Sequence, residues 1–178
     1  MAGGDEELRA ELLAMRAADE SVRQVAPALS QEAMGAALRA DRARTARLAE
    51  IVTTHGWPGR SLVGEDGMYA AWILAQHSDH DAELQARFLE LLEDAVELGE
   101  APASVLAYLT DRVRVNGGRL QIYGTQFGGS GESYGPQPIA DRDGLEERRA
   151  DAGLEPFAEY EPRMRESEAE HRAGGDPR

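Results

Sequence analysis

The sequence predicts a mainly α protein, a single-domain helical bundle with a small β-hairpin or extended segment near residues 119–138. Three observations carry that expectation. Apolar residues recur at helical spacing along most of the chain. Capping residues, glycines and prolines stand where such helices would start and stop. Only RLQIYGTQF, residues 119–127, alternates apolar and polar residues as a strand does.

The elements follow in order. Residues 5–24 place Leu8, Leu12, Met15 and Val22 on one helical face, open with acidic residues that suit the positive end of a helix dipole, and are punctuated by Pro27. Ser30 is a cap candidate for a second helix, with an apolar face of Met34, Ala37, Leu38, Ala46, Leu48 and Val52, ending at His55-Gly56 before Pro58. HGWPGRSLVGEDG, 55–67, reads as a glycine-rich connection. GMYAAWILAQH reads as a nearly all-round apolar helix at the centre of the core. Leu84, Phe88, Leu91, Leu92, Ala95 and Leu98 mark the helix that Gly99 ends, and another runs over 101–115 before the turn Asn116-Gly117-Gly118. GGSGESYGPQP, 128–138, is a loop, and 141–152 is a short helix with Asp141 or Asp143 as its cap. The expected domain is 1–160, with 161–178 a charged, frayed tail.

Composition narrows the function. The formal net charge of −14 disfavours nucleic acid and anionic lipid as partners. All 19 basic residues are arginine, so no lysine is present for a Schiff base or a phosphate loop. There is no cysteine, hence no disulfide, thiolate nucleophile or cysteine-ligated zinc. No run approaches the roughly 20 apolar residues that span a bilayer, and the acidic N-terminus is unlike a secretory signal. The expectation is a cytoplasmic protein without a membrane partner. Nucleotide-binding, nucleophile-elbow and His-Glu-x-x-His motifs are absent.

HGWPG, AAWILAQHSD, AYLTDRV and LQIYGTQF, followed by an arginine-rich short helix and AGLEPFAEY, occur in that order over about residues 6–160. In these motifs the chain resembles a widespread bacterial family of uncharacterised domains. The resemblance implies an all-helical domain but transfers no reaction. Its signature positions here are His55, Gly56, Trp57, Pro58, Gln76, His77, Asp111, Arg112, Gln121, Tyr123, Gly124, Thr125 and Gln126.

Those residues suggest chemistry. His77 ends an apolar helix beside Gln76, and an imidazole can take up and return a proton near neutral pH. His55 is its expected partner, with Trp57 as an apolar wall; a helix-capping role for His55 weighs equally. Asp111 is a candidate to orient a histidine and Arg112 to clamp a carboxylate, against a purely structural ion pair. On a strand, Gln121, Tyr123 and Thr125 would share one face, and with Gln126 present donors and acceptors to polar substrate atoms. The expected function is an enzyme using histidine acid–base chemistry on a polar small molecule or peptide-like substrate, hydrolysis being preferred and no cofactor required. One alternative is a metal-dependent hydrolase holding a divalent ion through His55, His77 and an aspartate such as Asp79. Another is a non-catalytic binding module. Ser78, Asp79 and Asp81 also read as caps for the following helix, and His80 as a surface residue.

Overall fold

The computed structural model describes residues 4–25 and 30–174. Pro27, expected to punctuate the first helix, lies outside them. Seven helices are described: α1 Glu6–Val25, α2 Gln31–His55, α3 Arg60–Gln76, α4 Ala82–Glu97, α5 Ala103–Asn116, α6 Leu145–Asp151 and α7 Phe157–Gly174. Two short strands, β1 Phe127–Gly128 and β2 Gly135–Pro136, pair antiparallel, with Phe127 opposite Pro136. The protein is thus mainly α with a small hairpin. No described helix is long and apolar enough to cross a membrane.

The caps act as their chemistry requires. The Asp5 carboxylate accepts from Leu8 N–H, the Ser30 hydroxyl from Ala33 N–H and the Asp81 carboxylate from Leu84 N–H. Gly56, at φ +70°, closes α2 by donating its N–H to the Val52 carbonyl. The stretch 55–67 is less of a connection than expected. Helix begins at Arg60, breaks at Gly64 (φ +72°) and resumes into the central apolar segment.

The chain divides into two compact units, Met1–Leu109 and Thr110–Arg178, the boundary falling within α5. In the first unit, α1 and α3 run parallel. Asp5 N–H donates to the Leu62 carbonyl, Arg9 binds Asp66 and His77 meets Asp19, so partners stay 57 or 58 residues apart along the seam. Leu12, Leu48, Ile51, Met68, Leu74, Phe88 and Leu92 are among the apolar side chains of its core. Covering these groups supplies the hydrophobic drive, at about 25 cal/mol per Å² of apolar surface removed from water.

The second unit has a more polar interior. Asp111, Gln121, Thr125, Gln126 and Arg149 are buried beside Leu145, Phe157 and Tyr160. Residues 119–126 are not the expected strand: beyond one isolated parallel bridge, Gln121 to Ile139, they form a looped segment. Gln121, Tyr123 and Thr125 therefore do not share a strand face. The segment read as a frayed tail is helical from 161 to 174, as the continuation of α7.

Candidate functional site

His77 caps the C-terminal end of α3, its N–H bonded to the Ile73 carbonyl. From α4, the Gln85 amide donates to the Ala75 and Gln76 carbonyls and to the Asp79 carboxylate. That amide supplies a donor to the Gln76 carbonyl and joins Ser78 N–H on the Ala75 carbonyl where α3 stops, and so fixes the backbone that presents His77. The imidazole Nδ1 stands 2.6 Å from Oδ2 of Asp19 on α1.

Asp19 is 2% exposed. Arg23, one turn on, donates Nε–H to Oδ2 at 3.0 Å, and Arg44 of α2 places Nη2 at 3.6 Å from Oδ1. Burial pushes the Asp19 carboxyl upward, but hydrogen bonds from His77 and Arg23 outweigh it and hold the group down at about 2. Asp19 is consequently a carboxylate at neutral pH and can only accept. Its partner Nδ1 must carry the proton, which leaves the lone pair of a neutral imidazole on Nε2. The His77 side chain is 27% exposed, so the ring reaches solvent while its anchor does not.

Ser78 is fully buried; its hydroxyl donates to the Leu74 carbonyl and lies 3.0 Å from the Thr45 hydroxyl of α2. Asp81, not Ser78, caps α4, and His80 is exposed. Gln76 is buried, and its amide nitrogen has no hydrogen-bond partner among the described residues.

One turn from this pair along the same seam lies a groove of about 410 Å³ lined by Arg16, Glu65, Asp66, Tyr69, Trp72 and Ile73. Ile73 and His77 occupy the same face of α3, one turn apart. Trp72 meets Tyr69 and Tyr108 edge to face, with ring centroids at 6.1 and 5.8 Å.

His55 is not the partner of His77. It is exposed at the end of α2, on a cleft shared with Asp5, Glu7, Leu8, Glu11 and Arg47. Even the nearest of those α1 residues to Asp19, Glu11, is eight residues away, about 12 Å of helix rise. Trp57 is buried, its indole N–H without an acceptor among the described residues, and does not form an open wall. Among the described residues no group of three or more histidine, aspartate or glutamate side chains is arranged to hold a metal ion, so His55, His77 and Asp79 do not form the alternative metal site.

Asp111 does not orient a histidine through the contacts it makes. Its oxygens accept from the N–H groups of Ile122, Tyr123 and Thr125 and from the Thr125 hydroxyl. Gln121 donates to the Gln126 and Gln137 carbonyls and accepts from Gln126 N–H. Gln126 in turn accepts from Arg112 and donates to the Thr125 hydroxyl. These groups hold a loop in shape and spend their hydrogen bonds on it.

Sequence reasoning missed Asp19, Arg23, Arg44 and Arg16. A signal existed for Asp19: it continues the stripe Leu8, Leu12, Met15, Val22, a carboxylate among apolar neighbours. No curated protein and no solved structure matches the chain. A family model does match, over residues 6–170: the chain belongs to a family of unknown function, DUF6624.

Proposed function

We propose that this protein is an acid–base enzyme in which Nε2 of His77 moves the proton and Asp19 holds the ring. The 2.6 Å contact between His77 Nδ1 and a buried, ionised carboxylate carries the reading. A carboxylate at Nδ1 fixes the tautomer, orients the ring and balances the positive charge that appears when Nε2 takes a proton. Hydrogen bonds from His77 and Arg23 keep Asp19 ionised in its buried position.

Hydrolysis of a polar, peptide-like substrate is the preferred reaction. Ser78, the hydroxyl next to His77, is buried and already hydrogen-bonded, which favours water as the nucleophile. Nε2 would take a proton from that water as its oxygen attacks a carbonyl carbon. The imidazolium would then return the proton to the departing amine, leaving a carboxylic acid and a free amine.

The test is amine release from a panel of dipeptides and N-acyl amino acids by the purified protein. His77→Gln should abolish turnover while leaving Tm close to that of the wild type, since the ring is partly exposed. Asp19→Asn should lower kcat by about 100-fold or more, the range of a misoriented general base. Equal turnover by His77→Gln and wild type, or no wild-type turnover on any member, overturns the reading.

A further inference from the structure

We infer that the groove between α1 and α3 is a binding site for a zwitterion, a free amino acid or short peptide. Its carboxylate would sit on Arg16 and its ammonium on Glu65. The inference rests on the acid–base reading only for the chemistry at His77; the recognition argument is separate.

The arginines of α1 supply the first argument. Arg9, Arg16 and Arg23 recur every seventh residue along the helix. Arg9 is engaged by Asp66 and Glu6, and Arg23 by Asp19. Arg16, half-buried, has no hydrogen bond or ion pair among the described residues, although the chain carries 33 acidic residues. A guanidinium that meets no carboxylate of the described residues, on the wall of a groove, is a preformed fork for an external one.

The opposite end has the complementary chemistry. Glu65 lines the same groove, also without a hydrogen bond or ion pair among the described residues, whereas the adjacent Asp66 is taken by Arg9. Tyr69 and Trp72 lie between, and aromatic faces favour cations and apolar side chains alike. Along the seam Arg16 is level with Ile73, eight residues beyond Glu65, or about 12 Å of helix rise. Two long side chains lining one groove shorten that span to the reach of an amino acid or short peptide. A cavity of about 410 Å³ has room for such a molecule. The whole-molecule charge agrees. A −14 protein repels a free anion at long range, but a zwitterion has no net charge to be repelled. The carboxylate end then lies one turn from His77, which sets the acid–base pair at the C-terminal side of the bound molecule.

The experiment screens the twenty amino acids and a set of glycyl dipeptides at millimolar concentration by thermal shift. The best binder is then measured calorimetrically beside its N-acetylated and C-amidated forms. Each blocked form should bind about tenfold or more weakly, the worth of one charge-assisted hydrogen-bonded pair. Glu65→Gln should remove the penalty for acetylation alone, and Arg16→Gln the penalty for amidation alone. Both side chains lie at the surface of the groove, and the two variants report independently. Blocked forms that bind as well as the parent, or no binding by any member, overturn the inference. Repeating the calorimetry on His77→Gln separates the two proposals. End-group discrimination there supports the zwitterion site whether or not turnover is lost, and its absence there and in the wild type overturns it.

Discussion

Two buried aspartates in this chain do different work, and their partners tell them apart. Asp111 accepts mainly from backbone N–H groups of one loop, so its energy goes into the shape of residues 122–125. Asp19 accepts from side chains, His77 and Arg23, and through His77 its charge reaches a partly exposed ring. The difference can be measured. Asp111→Asn turns one acceptor into a donor facing N–H groups, leaving buried donors unsatisfied at about 1–3 kcal/mol each. Thermal unfolding should show a Tm several degrees lower, and an unchanged Tm would contradict this role. The contrast also shows what was legible. Asp111 stands in a dense polar motif and attracts a catalytic reading. Asp19 lies in an ordinary amphipathic helix, where attention falls on the leucines. Spacing along one chain cannot tell which distant carboxylate a histidine meets; the parallel α1–α3 seam, which no motif encodes, decides it.

The helices were legible because one physical rule governs them. An apolar stripe at period 3.6 must be covered, and caps must satisfy the open N–H groups at its start. Ser30, Gly56 and Asp81 each act where the sequence places them. The segment 119–126 was misread because alternation is a necessary sign of a strand, not a sufficient one. Asp111 offers its backbone a better set of acceptors than a neighbouring strand does, and Gly124 bends it at φ +72°. A Cβ at Gly124 would stand 2.8 Å from the Phe157 ring. Gly124→Ala therefore combines backbone strain with a clash and should cost about 1–3 kcal/mol in chemical denaturation. A midpoint equal to that of the wild type would mean that the loop relaxes freely. Asp81→Ala is the milder control, about 1 kcal/mol for a lost cap.

At the scale of the whole molecule, the acidic composition makes pH the variable that tests the reading of Asp19. The carboxyls of Asp19 and Asp66 are held down at about 2, the latter chiefly by the Arg9 hydrogen bonds; Glu11 and Glu100 are also lowered, by Arg47 and by the N–H of Ser61. A carboxyl lowered in the folded state binds fewer protons there than in the unfolded chain. Its contribution is complete above the unfolded value of about 4 and is lost as pH falls toward the folded one. Stability should therefore be level near neutrality and decline from about pH 5 toward pH 2. The decline belongs to several carboxyls together, so it does not by itself report on Asp19. Asp19→Asn isolates it. The variant lacks the charge at every pH, as the protonated wild type does in acid. At neutral pH it should be less stable by on the order of 1–2 kcal/mol, and the gap should narrow as pH falls toward 2. Denaturation midpoints at matched pH values measure that gap. If it stayed constant down to pH 2, Asp19 would not be the ionised anchor on which both the His77 tautomer and the proposed proton transfer depend.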